Sequence, residues 1–171
     1  DLPAASSLNT VDALHEQLAK IELPTLKIAL TGTGKVTAGA MEILDELGVK
    51  KVSVEDYLTE EYDMPVYCQL GVADYVKQKN GSAVVANHFF KNPAEYESNF
   101  MRFAEVTQLF IAGHYYEDGA PFLFTREDAK SSKFKIEVVA DISCDVDGPV
   151  ASTLRASTIA NPFYGYDAQA E

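Results

Sequence analysis

Apolar positions along the chain alternate between short continuous runs and longer stretches with helical spacing. Residues 26–30 form an apolar run typical of a buried strand, and a glycine-containing turn follows at 31–35. Apolar residues then recur at helical spacing over 36–47, and Gly48 takes the position after the helix that glycine favours. A second short strand is predicted at 51–54, so this region forms a strand–turn–helix–strand unit.

The remainder of the chain continues this alternation of strands and helices. Further strands are predicted at 82–87, 109–112 and 135–140. Helices are predicted over 93–104, with Pro93 in the first turn, and over 126–130, with Thr125 as the cap. Continuous apolar strands between helices indicate a parallel sheet covered on both faces. The pattern therefore predicts an α/β fold, a Rossmann-type doubly wound parallel sheet in three layers.

The two ends of this pattern suggest a domain boundary. Thr10 is placed to cap a helix that Pro24 ends, and we expect residues 1–23 to be a connecting helix from a substrate domain outside this chain. Residues 24–171 are then the Rossmann domain. Within it, residues 57–81 are less regular and are predicted to hold a short helix around 72–77.

Composition excludes several classes of protein. The 171 residues suit one domain, and 47% of them are hydrophobic, enough for a substantial core. The formal net charge of -12 argues against nucleic acid or an anionic membrane as a partner. No signal peptide or membrane span is evident, and two distant cysteines suggest reduced thiols and a cytoplasmic location. No metal-binding spacing is present in the sequence.

The turn after the first strand carries the candidate binding chemistry. Gly32 and Gly34 allow a tight turn and close approach of the backbone to a diphosphate, and Lys35, Val36 and Thr37 open the following helix. The third glycine of a G-x-G-x-x-G pattern would fall at Thr37. The motif therefore matches a dinucleotide site imperfectly, and its place between a strand and a helix strengthens it.

Other residues are expected to complete this site. Glu55 and Asp56 follow the second predicted strand, where a carboxylate accepts from a ribose hydroxyl, so NAD is favoured as the cofactor over NADP. His88 follows a predicted apolar strand at the edge where α/β sheets bind ligands, although a packed core histidine is the more common outcome.

Two other nucleotide sites also use glycine turns. A phosphate loop of the nucleoside triphosphatases does not fit, because Ala29 stands where its first glycine belongs and Val36 follows Lys35 in place of Ser or Thr. A methyltransferase-type site uses a similar turn and acidic strand end, and it stays open as a lesser alternative.

Two segments resemble the lysine-forming saccharopine dehydrogenases and the related alanine dehydrogenase and transhydrogenase group. The first is the glycine turn with Gly39 and Ala40, where Thr37 replaces a usual glycine. The second is the late segment, which resembles the family in Asp141, Asp145, Gly148-Pro149, Arg155 and Pro162-Phe163-Tyr164.

This resemblance implies an NAD(H)-binding domain of an amino-acid dehydrogenase that oxidatively deaminates its substrate with hydride transfer to nicotinamide. It implies that Asp145, and with it Asp141, lie near the nicotinamide as candidate catalytic acids. The family's substrate-binding Lys and His belong to a second domain, so the isolated fragment is expected to be inactive, with an amino-acid substrate held elsewhere. A homo-oligomer is possible. The alternative is a non-catalytic Rossmann module for nucleotide sensing or protein interaction.

Overall fold

A computed structural model describes residues 2–170, which form seven helices and seven strands. The helices are α1 (Val11–Leu18), α2 (Lys35–Glu46), α3 (Val54–Thr59), α4 (Val72–Tyr75), α5 (Ala86–Lys91), α6 (Met101–Ala104) and α7 (Arg126–Ala129). The strands are β1 (Lys27–Thr31), β2 (Lys50–Lys51), β3 (Val66–Leu70), β4 (Val76–Gln78), β5 (Tyr96–Ser98), β6 (Leu109–Ala112) and β7 (Val138–Asp141). Short 3-10 helices lie at Ala5–Ser7 and Pro93–Glu95.

Five of the strands form one parallel sheet in the order β2-β3-β1-β6-β7. From β1 the chain first builds β2 and β3 on one side, and then crosses to build β6 and β7 on the other. The direction of winding therefore reverses between β1 and β6, where Thr31 pairs with Ala112. This order confirms a doubly wound, Rossmann-like α/β fold. Strands β4 and β5 form a separate antiparallel pair.

The core lies on both faces of the sheet, as a three-layer fold requires. On one face, Ile28 and Leu30 of β1 pack with Leu44 of α2. On the other, Ala29 belongs to a larger cluster that includes Phe110 and the fully buried Phe100. Alternate residues of β1 thus serve opposite layers, because successive side chains of a strand point to opposite faces. A continuous apolar run is the result.

Several predicted elements are confirmed together with their caps. Helix α1 begins after Thr10, whose hydroxyl accepts from Ala13 N at 3.1 Å, and α7 begins with a capping box between Thr125 and Asp128. Gly48 has φ of +72° just after α2, which is the left-handed conformation that favours glycine. Strand β6 has the predicted bounds.

The second predicted strand, 51–54, is wrong in extent. Strand β2 covers only Lys50–Lys51, because Ser53 caps a new helix by accepting from Asp56 N at 3.1 Å. Val54 therefore begins α3 rather than ending a strand. The Ser at this position, followed by two acidic residues, is an N-terminal helix signal that outweighed the β-branched residues around it.

The stretch 57–81, predicted to be irregular, contains a central strand. Strand β3 lies between β2 and β1 and is almost entirely buried. Its boundaries were visible as Pro65 and Gly71, but five residues interrupted by Gln69 are too few for the apolar pattern to identify a strand. The short helix predicted after it is present as α4, and Val76–Gln78 continues as β4.

Three further predictions need correction. The apolar run at 82–87 is not a strand, since Val85 is 57% exposed and Ala86 begins α5. The helix predicted over 93–104 is divided into a 3-10 turn, β5 and α6. The last predicted strand, 135–140, is observed as Val138–Asp141. Short apolar runs fit helix and strand equally well, so tertiary contacts decide between them.

Candidate functional site

The glycine turn connects β1 to α2 in the conformation that only glycine adopts readily. Gly32 has φ of +109°, and a Cβ built there would lie 2.6 Å from the Gly113 carbonyl oxygen. Gly32 N also donates to Leu70 O at 2.9 Å, and Gln69 Nε2 donates to Gly32 O at 3.1 Å. The turn is therefore held between the ends of β3 and β6 and leaves no room for a side chain.

Thr37 stands at the position of the third glycine of the G-x-G-x-x-G pattern, and its side chain is accommodated inside the fold. It is completely buried, and its hydroxyl lies 3.4 Å from Thr31 O and 3.5 Å from Gly113 O. A Cβ on Gly113 would come within 3.0 Å of Thr37 Oγ1. Gly113, at the end of the neighbouring strand, thus provides the space that a glycine at position 37 would otherwise provide.

The N-terminus of α2 is free to bind an anion. Its N-cap, Gly34, has no side chain to accept from the helix, and the first helical bond runs from Ala38 N to Gly34 O. The preceding amides of Lys35, Val36 and Thr37 make no backbone hydrogen bond among residues 2–170. Free amides and the positive end of the helix dipole together favour a phosphate.

A cleft of about 450 Å³ opens in front of this helix end. We name it the glycine-turn cleft. Its walls include residues 32–36, Tyr75, Phe90, Gly113, His114 and Ile142. It lies at the carboxyl ends of β1 and β6, where the winding of the sheet reverses, which is where open α/β sheets bind ligands.

His114 forms part of the wall of the glycine-turn cleft just beyond β6. It is 7% exposed, its Nδ1 is 2.7 Å from Thr31 Oγ1, and its ring packs against Tyr75 with centroids 5.6 Å apart. Burial lowers the pKa of His114 to about 4, although the Asp141 carboxylate acts in the opposite direction. The imidazole is therefore neutral at pH 7.

Glu55 and Asp56, which were predicted for the ribose end of the site, lie in a helix and not at the end of a strand. Both are exposed and lie in the first turn of α3, after the edge strand β2. Neither lines the glycine-turn cleft. The strand next to β1 is β3, so the residues after Leu70, and not Glu55 and Asp56, follow the strand beside the glycine turn.

Asp74 is an acidic residue near the glycine turn that the sequence pattern did not single out. It follows β3 by four residues, is half-buried, and its Oδ2 accepts from Gly71 N at 2.8 Å. Gly71 is itself close to the glycine turn, since a Cβ built there would lie 3.7 Å from Thr33 Cγ2. The signal was a glycine and an aspartate after a short apolar run, but it depended on recognising β3 as a strand.

His88 also lies elsewhere than predicted. It is on α5 and not at the end of a strand, and its Nδ1 lies 2.9 Å from Tyr96 Oη of β5. The glycine-turn cleft does not include it, although Phe90 from the same helix contributes to the wall. His88 therefore serves the contact between α5 and the small antiparallel sheet.

The two candidate acids, Asp141 and Asp145, lie in different surroundings. Asp141 ends β7, and its carboxylate accepts from the hydroxyls of Ser143 and Thr153 and from Cys144 N. These three bonds make it an organiser of the loop after β7. Asp145 is half-buried in a polar depression shared with Tyr116 and Asp118. The structure does not bring the two carboxylates to one point in the glycine-turn cleft.

A second cleft, of about 540 Å³, lies between β7 and residues 152–166 and shares Ile142 with the first. Arg155 lines it but points its guanidinium at backbone carbonyls of Ala156, Asn161 and Phe163, and stacks 4.5 Å over the Tyr164 ring. Arg155 thus holds the shape of the C-terminal loop.

Within residues 2–170, no group of three His, Cys, Asp or Glu side chains is suited to hold a metal ion. Cys68 and Cys144 are both free, and burial raises the pKa of the Cys68 thiol to about 12. A search of the helices in the same residues finds none with the length and apolar character to span a membrane.

Fold and site together define a Rossmann-like α/β domain with a glycine turn at its switch point. No protein-family model matches the chain. The chain is 30% identical to the mitochondrial alpha-aminoadipic semialdehyde synthases of Bos taurus and Mus musculus, over 84% of its length. It is 25% identical, over 95% of its length, to the alpha-aminoadipic semialdehyde synthase of Arabidopsis thaliana.

Most of the chain is therefore similar to one segment of these synthases, which are members of the saccharopine dehydrogenase family. The chain is a domain related to amino-acid dehydrogenases, and its aligned part spans only 18% of the length of the curated relatives it matches.

Proposed function

We propose that this chain is the nicotinamide-dinucleotide-binding domain of a longer amino-acid dehydrogenase, with NAD(H) as the cofactor. The observation that carries the proposal is the uncapped N-terminus of α2, which opens with the Gly32–Gly34 turn into the cleft at the switch point of the sheet. Similarity to the alpha-aminoadipic semialdehyde synthases supports the same class of activity.

The residues of the chain act by binding and orienting. The amides of Lys35, Val36 and Thr37 would donate to the diphosphate, and the Lys35 ammonium would add a positive charge at the exposed rim. Gly32 and Gly34 let the diphosphate approach the backbone. The cofactor, when bound, supplies the hydride chemistry. An amino or imino acid held by another part of the longer protein would react in an oxidative deamination, so the chain alone is expected to bind cofactor without turnover.

We base the choice of NAD over NADP on Asp74, because it follows β3, the strand beside β1. Asp74 does not itself line the glycine-turn cleft, but its neighbour Tyr75 does. A carboxylate just after the strand beside β1 accepts from a ribose 2'-hydroxyl and repels a 2'-phosphate. The competing feature is Lys51, whose Nζ donates to Gln69 Oε1 at 2.8 Å and places a cation on the same side of the turn. A ribose phosphate drawn to Lys51 would favour NADPH.

Calorimetric titration with NADH and with NADPH tests the proposal. A matched pair of variants, Gly34→Asp and Gly34→Asn, places similar side chains in open space at the N-cap of α2. Both side chains favour an N-cap and stabilise the helix, but only the carboxylate repels a diphosphate. We expect Gly34→Asp to bind at least tenfold more weakly than Gly34→Asn while unfolding at a similar temperature.

Equal affinity in the two Gly34 variants would overturn the placement of the diphosphate. Absence of binding to either dinucleotide by the wild-type chain would overturn the proposal for this chain and favour the non-catalytic interaction module instead.

A further inference from the structure

One buried polar atom in the glycine-turn cleft has no partner. His114 Nε2 makes no hydrogen bond within residues 2–170, although the side chain is more than nine-tenths buried and lines the cleft. Leaving a buried donor or acceptor unpaired opposes folding, so native proteins do so rarely and usually where another molecule supplies the partner. Because the imidazole is neutral, one ring nitrogen carries a proton and the other accepts.

Hydrogen-bond accounting at Thr31 identifies which nitrogen carries the proton. The Thr31 side chain is completely buried, and its hydroxyl has one hydrogen-bond partner within residues 2–170, His114 Nδ1 at 2.7 Å. If Nδ1 donated, the hydroxyl hydrogen of Thr31 and the Nε2 lone pair would both be buried and unpaired. If Thr31 donates to Nδ1, only the Nε2–H is left over. The second arrangement leaves fewer unpaired groups and places the proton on Nε2.

We propose that His114 is a further dinucleotide-binding residue, whose neutral Nε2–H donates to an oxygen of the diphosphate–ribose segment of the cofactor. The inference rests on the proposed function and adds to it a specific uncharged donor on the β6 side of the switch point. It also assigns Thr31 the role of a positioning residue, because its hydroxyl holds the tautomer that donates.

The surroundings of the ring fit this role. Gly113, the residue before His114, has its carbonyl oxygen close to Gly32 and Thr37. His114 therefore follows directly on a residue that contacts the glycine turn. Thr31 and Tyr75 hold the imidazole from two sides, so little side-chain freedom is lost when a ligand binds. Nε2 has no appreciable exposed surface, so the proposal requires the cleft wall to move outward before an acceptor atom reaches it.

Long-range ¹H–¹⁵N NMR of histidine-labelled protein tests the tautomer directly. We expect His114 to show a protonated Nε2 and an unprotonated Nδ1 at pH 7, and the Nε2 resonance to shift on saturation with NADH or NADPH. His88, which lies outside the cleft, is the internal control and should not shift. A protonated Nδ1 in His114 before any addition would overturn the inference.

Two variants separate a ligand role from a structural one. The double variant Thr31→Val/His114→Leu removes both partners of the buried hydrogen bond and the unpaired Nε2 together. Replacing both partners with apolar groups of similar shape is close to neutral for folding, so we expect its thermal stability to equal or exceed that of the wild type. Its affinity for the dinucleotide that the wild type binds should fall about three- to tenfold, the value of one neutral hydrogen bond. His88→Leu is the matched control and should retain full affinity.

The outcomes distinguish this inference from the proposed function on which it rests. Saturable binding by the wild type, with an unshifted Nε2 resonance or undiminished affinity in the double variant, would overturn the role of His114 alone. Strong destabilisation of the double variant without loss of affinity would make the pair structural. A wild-type chain that binds neither NADH nor NADPH would overturn both.

Discussion

Thr37 occupies the space that Gly32 leaves open at the start of α2: a Cβ built on Gly32 would lie 2.6 Å from Thr37 Oγ1. Threonine stands here where the G-x-G-x-x-G pattern has its third glycine, and the fold accommodates it because two other glycines, Gly32 and Gly113, face its hydroxyl. The departure from the G-x-G-x-x-G pattern is therefore compensated within the structure and leaves the helix close to the strand.

This arrangement predicts different changes in the free energy of unfolding when alanine replaces each of three glycines. Gly32→Ala should destabilise by at least about 3 kcal/mol, because its φ is positive and its Cβ would overlap the Gly113 carbonyl. Gly113→Ala should cost about 1–2 kcal/mol through the tighter contact with Thr37 Oγ1. Gly39→Ala, in open space within α2, should stabilise by about 0.5–1 kcal/mol. Urea unfolding of the three variants measures these differences.

A double-mutant cycle isolates the contact with Thr37. In a Thr37→Ala background the cost of Gly113→Ala should fall, while that of Gly32→Ala should persist, since its main clash is with backbone. Equal costs in both backgrounds would show that Thr37 does not fill this space.

A second prediction concerns Lys27, a buried lysine within an otherwise apolar strand. Its Nζ donates to Tyr57 O at 2.9 Å and to Glu60 O at 2.6 Å, at the C-terminal end of α3, and lies 5.6 Å from the Tyr62 ring centroid. A cation here satisfies terminal carbonyls and complements the helix dipole. Lys27→Met should therefore lower the free energy of unfolding by about 2–3 kcal/mol.

The exposed Lys50, on the edge strand β2 of the same sheet, is the matched control for Lys27. Lys50→Met should change stability by no more than about 0.5 kcal/mol in the same urea titration. A Lys27→Met variant as stable as Lys50→Met would contradict the capping role.

The pH dependence of stability should report the buried His114. Its pKa is about 4 in the folded protein and 6.5 without burial, so the unfolded chain binds more protons between these values. The contribution of His114 to the free energy of unfolding is then fully present above pH 6.5 and is lost as the pH falls towards 4. Between pH 7 and pH 5 the wild type should lose about 2 kcal/mol more than His114→Gln, which cannot titrate.

The comparison between wild type and His114→Gln cancels the carboxylates and the other two histidines, which both proteins share. Urea unfolding at each pH provides the measurement. Parallel stability profiles for the two proteins would show that His114 titrates alike in the folded and unfolded states.

A further prediction distinguishes the two acidic positions near the proposed ribose site. Glu55→Ala/Asp56→Ala should leave the NADH affinity within about twofold and lower stability by about 1 kcal/mol, because both carboxylates serve the first turn of α3. Asp74→Asn keeps an acceptor for Gly71 N but removes the negative charge. We therefore expect this variant to bind NADH more weakly than the wild type and to have a higher ratio of NADPH to NADH affinity. A loss of NADH affinity confined to the α3 variant would restore the original placement of the ribose.

The parts of the fold that could be predicted are those with strong local signals. Strand β1, helix α2, strand β6 and the caps Thr10 and Thr125 were all correct, because a long periodic helix, a compact apolar run or a capping hydroxyl identifies itself within a few residues. The short elements between 50 and 104 were largely missed, since two to six residues carry too little pattern to separate helix from strand.

The candidate site divides in the same way. The sequence by itself determined the glycine turn, the helix that follows it and the α/β class, because these depend on glycine conformation and on apolar spacing along one segment. Only the tertiary structure decided that β3 lies beside β1, which is why we propose Asp74 rather than Glu55 or Asp56 for the ribose. It also decided that His88 lies outside the cleft and that Thr31 and His114, 83 residues apart, share a buried hydrogen bond. Strand order depends on which surfaces pack together across the whole chain, and no local pattern records it.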